Sequence, residues 1–330
     1  MSSQRSSPRI AIGVDIGGTR TKAGIVEESG SQLAELEMAT DPSAGTKSIL
    51  TAVEDLLRRA EQMSVHVEAV GIGVAGFVSS ATGSVSFAPN IVYDDPEIAK
   101  AVYSRTGLPV AVDNDANAAA WGERTFGTAQ GCDDIVLLTL GTGVGSGIVA
   151  NGRLVRGATG AAAEFGHTVI DPEGPQCKCG LRGCIEQFSS GQAIARMGRE
   201  AAEKDPTTTI LAFADSIESI TAEHVAKAAR QLDESARDIM RRAGIMLGVG
   251  LSNIANLFDP EVIVLGGSVV KAGEPFLGPA RDQLQTMTTA QRRRPMRLDV
   301  GLLGQEAAIL GAAALALDEA TIPTQGGGAE

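Results

Sequence analysis

Aromatic side chains are scarce in this sequence. They make up 3% of 330 residues, with one Trp and two Tyr, so the stacking platforms of single-strand nucleic-acid binders are missing. Basic charge is short as well. Against 40 Asp and Glu stand 28 Lys and Arg, a net charge of −12, which leaves no broad electrostatic footprint for a polyanion. Nucleic acid is excluded as a partner, and an anionic ligand must find a local positive site. Long apolar runs are absent too. The longest, Ala307 to Leu317, has eleven residues including Gly311, well short of the roughly 20 that cross a bilayer. The opening MSSQRSSPRIAIGVD places polar residues and Pro8 where a signal peptide needs a continuous apolar core. The expectation is a cytoplasmic protein without a membrane partner.

What is plentiful is glycine. The chain has 40, above the usual fraction of about 7%, and they gather around strand-like segments. Ile10 to Asp15 and Thr21 to Val26 read as strands joined by GGTR, Leu33 to Met38 adds a third, and Ile49 to Ala60 carries apolar residues at helical spacing. Val70 to Ala75 and Val110 to Asp113 are short strands, the second leading into a helix that begins NDANAAAWGERTFG. From Asp134 the pattern of strand, glycine turn and strand returns, so the chain reads as two related halves. An apolar helix near Ala236 to Leu257, the strand VIVLGGS and an Ala-rich helix from about Gln305 follow. Residues 1–9 and 319–330 are polar and Gly-rich and read as disordered tails, and the run Gln291 to Pro295 as a solvated loop.

The glycine turns carry the first functional signal. Asp15, Gly17, Gly18, Thr19 and Lys22 lie in a strand-to-strand turn, which rejects both the P-loop and the dinucleotide fingerprint, since each requires a following helix. Glycines let backbone N–H groups approach phosphate oxygens closely. Thr19 adds a hydroxyl, Lys22 or Arg20 a charge, and Asp15 faces a phosphate-bound magnesium. Gly141, Thr142 and Gly143 form a second turn of the same construction. One such hairpin is usually only a hairpin; a pair makes a clamp for a triphosphate. Gly266 and Gly267 after VIVL can face a base or ribose, and a plain strand-to-helix turn reads equally well there.

The cysteines carry the second signal. Cys132 stands alone and reads as a buried small residue, whereas Cys177, Cys179 and Cys184 crowd into CKCGLRGC, ten residues after His167. One nitrogen and three sulfurs are the donor set of a closed structural zinc site, with buried or redox-active thiols the weaker reading. His66 and His224 read as surface residues in helical contexts.

DIGGTRTK, LGTGVGSGI, LGGS and CxCGxxGCxE together make the chain resemble the ROK family of sugar kinases over about residues 10–318. The resemblance implies an α/β, two-domain actin/hexokinase-like (ribonuclease H-like) fold with a cleft between domains. The domains expected are 10–114 plus about 305–318, and 115–304 with a zinc-binding loop at 167–184. It implies that VDNDAN is the catalytic loop, with Asp115 as the base that takes the sugar hydroxyl's proton; helix capping is the ordinary use of Asn114 and Asp115. It further implies that Asn90, Asn114, Asp115, Glu164, His167 and Glu186 hold the sugar and that Gly76 lines the same cleft.

The activity expected is ATP-dependent phosphorylation of glucose at the 6-hydroxyl by a homodimer using ATP, Mg2+ and a structural Zn2+. Mannose, N-acetylmannosamine or another hexose, or polyphosphate as donor, are the alternatives within kinases, and a noncatalytic sugar-binding protein the alternative outside them. Sugar-responsive repressors of the family carry a DNA-binding domain ahead of DxGGT; fourteen residues precede Asp15 here, too few for one.

Overall fold

The computed structural model describes residues 8–79, 81–288 and 296–323. The loop expected at Gln291 to Pro295 lies outside these, as do most of the two expected tails. The described ends are nevertheless held in place. Arg9 donates to Glu68 and to the Leu317 carbonyl, and Thr321 exchanges backbone bonds with Val110.

Two five-stranded sheets repeat one topology. In the first, β1 (Ile10–Ile16), β2 (Arg20–Glu27) and β3 (Gln32–Ala39) form an antiparallel meander, and β4 (Ala69–Val74) and β7 (Val110–Asn114) join parallel on the other side of β1. A two-stranded ribbon, β5 (Phe77–Ser79) and β6 (Ser84–Phe87), follows β4. The second sheet has β8 (Ile135–Leu140), β9 (Val144–Ala150) and β10 (Arg153–Leu154) as its meander, with β11 (Val262–Gly266) and β12 (Arg297–Val300) parallel beyond β8. The two halves read from the glycine turns are therefore a structural repeat.

Alternation along the strands sets the layers. Ile10, Ile12, Val14 and Ile16 of β1 pack with α1 (Gly45–Gln62) and α2 (Ile98–Thr106), while Ala11 faces α9 (Ala307–Glu319). Val136, Leu138 and Leu140 of β8 pack with α5 (Gly191–Lys204), α6 (Ala222–Arg230), α7 (Glu234–Phe258) and α8 (Glu274–Met287). Ile135 and Leu137 turn the other way, toward α3 (Asp115–Thr125) and α9. The pair α3 and α9 thus lies between the sheets, α9 against β1, β2, β4 and β7 of the first and α3 against β8 and β9 of the second.

The close packing of α9 on β1, β4 and α3 accounts for three of the glycines. A Cβ on Gly13 would come within 2.1 Å of the Ile309 carbonyl oxygen, one on Gly71 within 1.8 Å of Ala312 O, and one on Gly311 within 1.7 Å of Ala118 O. These glycines serve backbone-to-backbone packing. The long α7 buries one side and leaves Arg237, Asp238, Arg241 and Arg242 exposed, so it is less apolar all round than its sequence suggests. Of the lone histidines, His224 sits in α6 in a capping box with Thr221, whereas exposed His66 lies in the loop after α1 and not in a helix. Cys132 is buried, as expected.

Candidate active site

Strand β7 delivers the NDAN segment to the start of α3. Asn114 caps that helix, its Oδ1 accepting from the amides of Ala116 and Asn117, so the capping role is real. The cap leaves its amide nitrogen free to donate to Gly76 O at 3.2 Å, which ties the expected cleft residue Gly76 to the same corner. Only glycine fits there, since a Cβ would meet Phe87 O at 2.3 Å. Beneath, buried Asp113 accepts from Asn114 N, Asn117 Nδ2 and Arg156, and Arg156 also donates to Glu319. This network holds the strand-to-helix turn, and sequence reasoning did not find Arg156. Its signal, one Arg after a strand, is not distinctive.

The carboxyl of Asp115, first residue of α3, accepts from the Ala116 N–H at 2.8 Å. Burial pushes it up to about 6, opposed by the Ala116 N–H and aided by the charge of Glu164. Asp15 is pushed up to about 7 by burial and by Asp115, with Lys22 pulling it back. Lys22 is the cross-strand partner of Asp15 in the β1–β2 ladder, and its ammonium donates to Gln305 Oε1 at 2.7 Å. Glu164 is raised by burial, lowered by His167 and raised by Glu186. Asp115 is thus coupled electrostatically to Asp15 on one side and to Glu164 on the other.

Each glycine turn closes on itself. Gly17 N donates to Arg20 O, and Gly141 N donates to Gly143 O. Gly18 faces Asn90, whose Cβ would stand 3.4 Å from an added Cβ, and Thr19 is exposed at the tip. Arg20 turns away to pair with Glu37, which leaves Lys22 as the cation beside Asp15. The second turn is fixed from outside. Glu186, on α4 (Glu186–Ser189), accepts from Val144 N at 3.0 Å, and a Cβ on Gly143 would strike that carboxylate at 2.4 Å. Gly191 and Gln192 at the start of α5 donate to the carbonyls of Gly141 and Thr142.

Beside that turn opens a cavity of about 590 Å³ lined by Gly141, Thr142, Gln192, Thr221, Glu223 and Ser268, among others. Its apolar wall includes Ile220, Ala226, Met240 and Val269. Gly266 and Gly267 shape its edge without lining it: Gly267 takes φ +90°, and a Cβ would meet Leu140 O at 2.4 Å. The helix residues of this wall carry no motif, so periodicity alone makes them core.

His167, Cys177, Cys179 and Cys184 converge, with their ligand atoms all within 4.8 Å of one another. His167 Nδ1 lies 3.7 Å from Cys177 Sγ, and the sulfurs of Cys179 and Cys184 are 3.6 Å apart. Those are edges of a tetrahedron about a zinc bonded at about 2.3 Å to sulfur and about 2.0 Å to nitrogen. The donor set fits a structural zinc. Gly183, at φ +71°, lets the loop press against Asp171, where a Cβ would come within 1.5 Å of the carbonyl oxygen. Gln187 donates to Cys177 Sγ at 3.6 Å, linking the cluster to the helix that begins with Glu186.

A family model described as the ROK family matches residues 11–319. The chain belongs to the ROK family. It is 40% identical over 313 residues to a glucokinase of Streptomyces coelicolor, covering 93% of this chain and 97% of that one. A glucokinase of Thermotoga maritima is 35% identical over 305 residues, 92% of this chain and 96% of that protein. Among solved structures, a ROK family glucokinase from Streptomyces griseus in complex with glucose and AMPPNP superposes with a TM-score of 0.80 at 42% identity, covering 94% and 99% of the two chains. The actin/hexokinase-like class expected from the motifs is the fold observed.

Proposed function

We propose that this protein is a glucokinase that transfers the γ-phosphoryl group of ATP to the 6-hydroxyl of glucose. What supports the reading most is Asp115 at the start of α3, beside the Asn114–Gly76 corner and coupled electrostatically to Asp15 and to Glu164. Glucokinase relatives over nearly the whole chain, and a neighbour solved with glucose and an ATP analogue, support the same chemistry.

In this reading the adenosine half of ATP occupies the cavity beside Gly141 and Thr142, with the ribose and base toward Ser268, Thr221 and Glu223. Backbone N–H groups of Gly18, Thr19, Thr142 and Gly143 cradle the phosphates, and Asp15 faces the magnesium that neutralises them. Glucose lies with its C1 to C3 hydroxyls on Glu164, His167 and Glu186, and its 6-hydroxyl at Asp115, flanked by Asn90 and Asn114. His167 can do this while ligating zinc through Nδ1, because Nε2 remains for the sugar. Asp115 accepts the 6-hydroxyl proton as that oxygen bonds to phosphorus and the bond to the ADP oxygen breaks. His167, Cys177, Cys179 and Cys184 would hold a zinc with all four positions filled, so it would serve structure rather than chemistry and would pin the loops that bear Glu164 and Glu186.

We assign residues 10–114 to a phosphate-side domain and 115–304 to a sugar- and adenosine-side domain, with α3 and α9 as the hinge. Closure then excludes water from the phosphoryl group. The enzyme works in the cytoplasm as a homodimer, which light scattering checks. ADP release measured with and without glucose tests the function: release that requires glucose is expected, and glucose-independent or absent release overturns it.

A further inference from the structure

Val144 and Ile148 of β9 face the core on the side of α5 to α8, and Ser146, on the same face of the strand, is the polar residue in that apolar row. It is 5% exposed. A hydroxyl so buried is satisfied by protein groups, and both of its bonds go to a single loop. Ser146 Oγ donates to the Ala163 carbonyl and accepts from Phe165 N at 3.2 Å. The residue enclosed between those two peptide groups is Glu164.

That loop needs holding. Ala163 takes φ +64°, a left-handed conformation that is unfavourable for a residue with a Cβ. Glu164 follows at φ −76° and ψ 52°, its turn closed by Phe165 N donating to Ala163 O at 2.8 Å. This is an inverse γ-turn. A left-handed alanine persists only where the surroundings over-determine it, and such places cluster at ligand sites. Together the two conformations set the direction in which the Glu164 side chain leaves the backbone.

Strand β9 starts directly after the Gly141–Gly143 turn. Two residues before Ser146, Val144 N donates to Glu186 Oε2 at 3.0 Å, and a Cβ on Gly166 would come within 2.0 Å of Val144 O. One strand thus holds both glutamates assigned to the sugar, Glu186 through an amide and Glu164 through a hydroxyl.

We propose that Ser146 is a positioning residue for glucose, whose hydroxyl fixes the left-handed Ala163 and the turn at Glu164 so that the carboxylate meets the C1 to C3 hydroxyls already oriented. The proposal rests on the kinase reading above and deepens it. Ser146 itself touches neither sugar nor phosphate. Its contribution is preorganisation of a group that binds ground state and transition state alike, so it acts on KM for glucose rather than on kcat.

The test is Ser146→Ala, compared with the wild type by steady-state kinetics and by calorimetric titration with glucose in the absence of nucleotide. The expected result is a KM and a Kd for glucose raised by about 10-fold, with kcat and KM for ATP within about threefold. Glucose constants within about twofold of wild type overturn the proposal, and so does a rise of both KM values together, which marks a general loss of structure. If the alanine variant does not fold, Ser146→Ala combined with Ala163→Gly replaces it, because glycine adopts this left-handed conformation without support. The double variant is expected to fold and to keep the weakened glucose affinity, and wild-type affinity in it overturns the proposal. A wild type that binds glucose but releases no ADP overturns the kinase reading alone, and the shift in Kd then supports Ser146 by itself. A wild type that does not bind glucose overturns both.

Discussion

The two sheets share a strand order, and their glycine turns occupy equivalent positions between the first two strands of each meander, yet the turns are furnished differently. The first carries its own charges, Asp15 and Lys22, paired across the ladder. The second carries none, and its geometry is set by Glu186 and by the start of α5. The source of the difference is the long connection from β10 to β11, which in the second half brings the His167–Cys177–Cys179–Cys184 cluster, α4 and the cavity helices α5 to α7. In the proposed mechanism a duplicated framework thus gives one turn for a metal-bound phosphate and another between nucleotide and sugar. Neutral backbone amides alone suit the second, because α5 and Glu186 already supply its polar neighbours.

The largest effect should come from the group between the turns. Asp115→Asn is expected to lower kcat by at least about 100-fold while glucose still binds, which steady-state kinetics and calorimetry measure. Near-normal turnover would remove Asp115 as the base.

Next, the insertion belongs to the second half alone. Cys179→Ser should lose the metal and lower the unfolding midpoint together, because metal-binding free energy is also folding free energy there. Elemental analysis expects about one zinc per wild-type chain, a number that follows from a closed four-ligand site. Active protein without zinc would contradict the pinning role.

A smaller effect separates two glycines of the second turn. Gly143→Ala should lower kcat/KM for glucose by about 10-fold, equivalent to about 1.4 kcal/mol, because the new methyl displaces the Glu186 carboxylate. Gly141→Ala, where a Cβ meets nothing within 4 Å, should change it much less.

The first turn should show in the pH profile. In the proposed mechanism Asp115 and Asp15 work ionised, as the proton acceptor and beside magnesium, and burial raises them to about 6 and about 7. Activity is therefore full above this window and falls as pH drops through it, with apparent values that belong to the pair.

How much of this was legible in the sequence follows from the physics of each signal. The zinc ligands stood out because thiols are rare and their spacing among glycines is short. The two turns stood out because they repeat. The NDAN segment was ambiguous, since capping and catalysis ask for the same residue types, and Asn114 in fact caps α3. Gly13, Gly71 and Gly311 carried no signal of their own in the sequence, and only the packing of α9 against β1, β4 and α3 shows that they admit a backbone. Residues whose role is set by distant partners left no trace. Arg156 reaches Asp113 from another sheet, and Thr221 and Glu223 line a cavity that helices far apart in sequence enclose.

The account's central claim is a glucose site whose C1 to C3 end is held by Glu164, His167 and Glu186. Competing kcat/KM values for glucose and N-acetylmannosamine at saturating magnesium-ATP test it most directly, since a 2-acetamido group must find room beside Glu186 and Gln187. The prediction is a preference for glucose on the order of 100-fold, about 2.7 kcal/mol of transition-state discrimination. A preference for the acetamido sugar would contradict it.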